Sequence, residues 1–261
     1  MAMLSTAPVP VRSPLPDGLA GSTVVIIGGS SGIGLAAGSL LHGVGARVVL
    51  IARDQDRLNA AVGRVRAQDG PEVLAAQADG GDEEALARAF DQASAVDHVL
   101  VTAGGLDGAG LVDMLSPEAV HSALHARVWG ALAAVRLAAL RLPAGGSVTL
   151  TSGIYSIRPL PGMAAPIAAI GAVETLTGAL AIELAPRRLR VNTVRYGSID
   201  TPLMRGAAGI STDEAAAEAG AGMLLGRFAT AEEAAATALF LMANNYVNGQ
   251  VITVDGGQGL A

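Results

Sequence analysis

The stretch "STVVIIGGSSGIG", residues 22–34, decides the fold. Its first half is a short, apolar, β-branched run, the pattern of a strand buried on both faces. Its second half places Gly28, Gly29, Gly32 and Gly34 around Ser30, Ser31 and Ile33. Glycine is needed where backbone approaches a pyrophosphate and where a helix packs tightly on its strand. The N-terminus of the following helix then offers N–H donors and a positive dipole to the phosphates. The spacing is GxxxGxG rather than the common GxGxxG. Such turns also serve purely structural ends, so this one alone leaves nucleotide binding and a structural role both open.

The same alternation runs outward from this turn. Residues 32–45 read as a helix, "ARVVLIA" (46–52) as a second strand, and "DQDRLNAAVGRVRAQ" as a helix with Asp54 as its N-cap. Leu58, Val62 and Val65 give that helix one apolar face. "PEVLAAQAD" is a third strand, "DEEALARAFDQA" a helix with an acidic first turn, and "VDHVLVTAGG" a fourth strand. A long helix over about 117–141, the strand "GSVTLTSG", a helix over about 163–185 and the strand "RLRVNTVRYG" follow. A Gly/Ala-rich connection fills 202–222, and "TAEEAAATALFLMA" and "QVITVDGG" close the series as helix and strand. Unbroken β/α alternation predicts an α/β fold, one doubly wound parallel sheet in a single domain over 21–261, after a Pro-rich arm at 1–20.

Composition narrows the class. Of the 261 residues 51% are hydrophobic but only 3% aromatic, so the core is built from Ala, Val, Leu and Ile. The net charge is −6, which argues against nucleic acid as a partner. With no cysteine, disulfides, thiolate nucleophiles and Cys-ligated zinc drop out. The N-terminus lacks the apolar segment of a secretory signal, and no run is expected to span a bilayer, so a cytoplasmic location is expected. All 17 basic residues are arginine, which removes every mechanism that needs a side-chain amine.

Together the motifs resemble the short-chain dehydrogenase/reductase family, from about residue 20 to 258. "IGGSSGIG" (27–34) resembles its glycine motif, and Asp79 the acid beside the adenine. "TAGG" (102–105), with Ala103 and Gly104, resembles its Asn-Asn-Ala-Gly turn. "RVNTVRYGSIDTPL", with Ile199 and Thr201, resembles the segment over the nicotinamide, and "NGQVITVDGG" the C-terminal strand. The resemblance implies a Rossmann-like fold, a nicotinamide cofactor, a small-molecule substrate and a homodimer or homotetramer. At the end of the second strand, Arg53 stands where an acid would favour NAD(H); an arginine there accommodates a 2′-phosphate, so NADP(H) is the expected cofactor.

The catalytic positions depart from the pattern. The family carries Asn, Ser, Tyr and Lys, with Tyr and Lys at i and i+4 on one helix face. Ser152 is read as the Ser, whereas Arg127 takes the Asn position, Pro166 the Tyr position and Ile170 the Lys position. No shifted register rescues the pair: four residues after Tyr155, Tyr196 and Tyr246 stand Pro159, Asp200 and Gln250. The candidate catalytic set is therefore Ser152, Arg127, Tyr155 and Tyr196, with Tyr196 expected beside the nicotinamide. His121 and His125 have the i, i+4 spacing of a metal pair, but the sequence supplies no further ligand, so no metal site is expected. Three readings stay open: an atypical NADP(H)-binding oxidoreductase acting on an activated substrate, a non-redox cyclase, isomerase or lyase reusing the pocket, or a non-catalytic binding or regulatory homologue.

Overall fold

The computed structural model describes residues 17–66 and 70–260. Among these residues seven strands form one parallel sheet in the order β3-β2-β1-β4-β5-β6-β7. In chain order the elements are β1 (Thr23–Ile27), α1 (Gly32–Gly43), β2 (Arg47–Ala52), α2 (Gln55–Arg66), β3 (Val73–Gln77), α3 (Glu83–Gln92) and β4 (His98–Val101). Then come α4 (Pro117–Leu124), a π-turn (His125–Trp129), α5 (Gly130–Arg141), β5 (Ser147–Gly153), α6 (Ala164–Leu184) and β6 (Arg190–Tyr196). The chain closes with α7 (Pro202–Ala208), α8 (Asp213–Gly220), α9 (Ala231–Ala243) and β7 (Val251–Val254).

The strands are apolar throughout because both faces are covered. Val24 and Ile26 of β1 pack with α1, α2 and α9, through Ala37, Leu41, Leu58, Val65 and Leu239. Val25 and Ile27 turn to the opposite layer of α3, α5 and α6, with Leu86, Phe90, Ala134 and Val173. The helices start where the sequence places caps. Asp54 accepts from the Arg57 N–H at 2.9 Å, Asp82 from Ala85 at 2.9 Å, and Thr230 forms a reciprocal capping box with Glu233.

Four sequence expectations shift. The domain begins earlier than 21, since Leu19 is fully buried in the α1/α2/α9 layer; residues 1–16 of the arm lie outside the described residues. The 202–222 connection holds two short helices, α7 and α8, each capped by a threonine. The single helix over 117–141 is broken by the π-turn, which inserts an extra residue and re-aims the side chains after it. Finally, Pro117–Arg141 and Ala164–Arg187 are long and apolar enough to cross a membrane by length and composition. Their apolarity has a local cause: each lays an Ala/Val face on the sheet.

Candidate active site

Switch-point topology puts the cleft at the carboxyl ends of β1 and β4, where the strand order reverses. There the glycine turn is a cradle that only glycine fills. Gly28 has φ +96°, and a Cβ on it would stand 2.6 Å from Ala103 N and Thr102 Oγ1. A Cβ on Gly34 would overlap the Gly28 carbonyl, so α1 can start flush against β1 only with glycine at that position. Ser31 occupies the N-cap of α1 without a side-chain bond into the helix, which leaves the first-turn N–H groups for an anion. These features fit the diphosphate of a dinucleotide.

Other nucleotide candidates gather around the cradle. Thr201 lies across the cleft, with its Cγ2 3.3 Å from where a Gly32 Cβ would be. Ile199 is buried and packs in one cluster with Ile33. At the β2 end, Arg53 Nη1 is 3.8 Å from Asp79 Oδ2, both side chains well exposed, so this cation and acid border one open pocket rim. Ala103 and Gly104 follow β4, and Thr102 Oγ1 bonds the Ile27 and Gly28 carbonyls at 3.2 Å, tying that turn to the glycine turn.

The catalytic candidates are not brought together. Tyr196 is 6% exposed and turned to the α9 layer, where its hydroxyl donates to the Ala234 carbonyl at 3.1 Å. Burial pushes its pKa up and keeps the phenol neutral, and the hydroxyl proton is committed to the Ala234 carbonyl rather than to the cleft. The placement beside the nicotinamide is thus corrected: the pleat of β6 aims residue 196 away. Tyr155 lies in a short turn, Ile154–Ser156, after β5 and is partly buried.

Ser152 is 6% exposed, and its hydroxyl donates to Glu174 Oε1 at 2.5 Å. The β5 residue that faces Ile170 is its neighbour Gly153, where a Cβ would stand 3.7 Å from Ile170 Cδ1. Pro166 and Ile170 are both buried on α6; Pro166 falls in the first turn, where a missing N–H costs no helical bond. The wall that β5 and α6 present thus carries glycine, proline and isoleucine, none with an ionisable group.

Sequence reasoning missed the charged cluster behind this wall. Glu174 continues the 166, 170 spacing by one more turn and is 13% exposed. It accepts from Arg195 Nη2 at 2.6 Å and Nε at 2.8 Å, and from Ser156 at 2.8 Å, besides Ser152. Arg195 stands opposite Ser152 in the β5/β6 register and also reaches Thr253 at 3.0 Å. Burial tends to raise the Glu174 pKa, but the bonds from Arg195, Ser152 and Ser156 outweigh it and hold the carboxyl below its ordinary value. The signal was present in the sequence: Glu174 and Glu183 are the only charged residues in 164–184.

Arg127 projects from the π-turn under Gly104. Its Nη2 donates to the Gly105 carbonyl at 3.3 Å, and its Nε is buried without a partner. Desolvation lowers its pKa, opposed by Asp107. His121 and His125 join no metal-ligand cluster among the described residues.

The family model described as "Enoyl-(Acyl carrier protein) reductase" matches residues 27–258. "Carbonyl reductase family member 4" of Danio rerio is 32% identical over 237 residues, covering 89% of this chain and 96% of that protein. A reductase/Diels-Alderase, MalC from Malbranchea aurantiaca, superposes with a TM-score of 0.86 at 28% identity, covering 94% of this chain and 99% of its own. A short-chain dehydrogenase/reductase from Serratia marcescens gives a TM-score of 0.82 at 29% identity, covering 92% and 99%. The chain belongs to the short-chain dehydrogenase/reductase family.

Proposed function

We propose that this protein is an NADP(H)-binding oxidoreductase that acts on an activated small molecule without a Tyr–Lys proton relay. The observation that carries the reading is the pairing of a glycine cradle fitted to a dinucleotide with a reaction wall of Gly153, Pro166 and Ile170. Bound nicotinamide supplies or accepts hydride. The chain's own part is to hold the nucleotide at Gly28–Gly34 and Thr201, and to present an apolar wall that keeps water from the transfer. General acid catalysis is worth ~10²–10⁴-fold, so a substrate reduced here must be electrophilic already. An iminium or a conjugated alkene meets that condition; in the oxidative direction, with NADP+ as hydride acceptor, a dihydro ring that aromatises on losing hydride and a proton would serve.

The NADP(H) preference rests on Arg53 at the open end of β2, beside Asp79. Exposed Leu140 and Ile182 on the outer helices support a homodimer or homotetramer, and the cysteine-free sequence fits a reducing, cytoplasmic setting. The test is NADPH fluorescence on titration with protein, followed by NADPH consumption with an activated alkene and with a simple ketone. Binding with consumption of the alkene alone supports the reading; no binding ends it. Replacing Arg53 with Gln should narrow the gap between NADPH and NADH affinity.

A second reading is a non-redox cyclisation in the same pocket. The likeness to a protein described as both reductase and Diels-Alderase favours it over other non-redox chemistries. Conversion that continues without any nucleotide would select it.

A further inference from the structure

Arg127 is a cation in a place that costs free energy. The π-turn between α4 and α5 aims it beneath Gly104, whose φ of +144° and missing Cβ make room for the guanidinium. Its one hydrogen bond within the described chain is the long one to the Gly105 carbonyl, at 3.3 Å. Nε is sealed from water with no acceptor, and Asp107 supplies only a distant opposite charge. Nη1 makes no bond among the described residues and is not among the sealed atoms. A half-buried charge with a single neutral hydrogen-bond partner gains from an anion that completes it.

The place of this charge separates it from the nucleotide's phosphates. Those belong to the α1 N-terminus, beyond β1, and to the Arg53 end, beyond β2. Arg127 lies at the end of β4, on the other side of the switch point. The loop holding its acceptor Gly105 runs on to Gly110, Leu111 and Val112, one wall of an apolar groove of about 450 Å³. Leu160, Gly162 and Ile167 form the opposite wall, and the Gly110 N–H donates to the Gly162 carbonyl at 2.7 Å to hold the two together.

We propose that Arg127 anchors the carboxylate of an amphipathic acid whose apolar body lies toward the Gly110–Val112 groove. The inference rests on the proposed oxidoreductase reading for its setting and adds the substrate class. A charge-assisted bond from Nη1 to the carboxylate would supply the partner that the fold withholds. An arginine stays protonated here and serves as an anchor rather than a proton donor.

The test is calorimetric titration of the whole protein, free and saturated with NADPH, using hexanoate and its neutral isostere hexanamide. Hexanoate should bind at least about tenfold more tightly than hexanamide. Arg127→Gln should erase that difference while leaving NADPH affinity within about twofold, and Arg127→Lys should keep part of it. Equal binding of acid and amide, no binding of hexanoate, or a tenfold loss of NADPH affinity in Arg127→Gln would each overturn the proposal. The last outcome would give the charge to the nucleotide. If wild-type protein ignores NADPH but still prefers hexanoate, the oxidoreductase reading fails and the anion anchor stands.

Discussion

Truncating Glu174 to alanine tests whether Ser152 is locked out of the cleft. The carboxylate takes two N–H bonds from Arg195 and two hydroxyl bonds from Ser152 and Ser156. With it gone, Arg195, only 16% exposed, keeps Ser156 and Thr253 as neutral partners. Breaking a fully buried pair costs ~3–5 kcal/mol. The residual exposure and the two hydroxyls relieve part of this, so a loss of about 3 kcal/mol is expected. At about 2–4 °C per kcal/mol for a chain of this size, the Tm should fall by about 6–12 °C at fixed protein concentration. Joint replacement, Glu174→Met with Arg195→Met, should recover most of the loss, because no charge is left stranded. The folded-state pKa of Glu174 lies below its ordinary 4.5, so the cluster's stabilisation is complete above that pH and fades as pH falls through the folded value. Glu174→Gln should flatten that acid limb. A Tm change under about 2 °C in Glu174→Ala, or strictly additive effects in the double variant, would refute the lock.

Three further outcomes are expected from the same geometry. Gly34→Ala should abolish nucleotide binding in a fluorescence titration, since its Cβ would overlap the Gly28 carbonyl and push α1 off β1. Tyr196→Phe should cost about 1 kcal/mol in thermal unfolding and leave nucleotide affinity unchanged, because among the described residues the hydroxyl bonds only the Ala234 carbonyl. Building the relay back, as Gly153→Ser, Pro166→Tyr and Ile170→Lys together, should raise NADPH-dependent ketone reduction by about 10²-fold or more. The pair Pro166→Tyr and Ile170→Lys alone should fall well short. Equal rates for pair and triple would mean that the Ser152 hydroxyl reaches the cleft after all.

The fold was legible because a doubly wound sheet writes itself twice, once in apolar runs covered on both faces and once in the glycine turn. The catalytic half was less legible for a geometric reason. Along a strand one residue reverses the face, so the sequence names Ser152 and Tyr196 without showing that the pleat sends one to Glu174 and the other to α9. Arg127 posed the same difficulty on a helix. One extra residue in the π-turn rotates the side chains around it, and regular 3.6-residue spacing does not foresee a seat for Arg127 under Gly104. The Glu174–Arg195 pair joins residues 21 apart through the packing of α6 on β6, which periodicity along either element cannot reveal.

The central claim is that the nucleotide cleft is intact while the proton relay is gone. Stopped-flow recording of NADPH fluorescence and absorbance, with wild-type protein mixed first with cofactor and then with a simple ketone, measures both halves at once. The expected result is saturable binding at micromolar protein with no consumption of NADPH. Absence of binding, or steady ketone reduction, would contradict it.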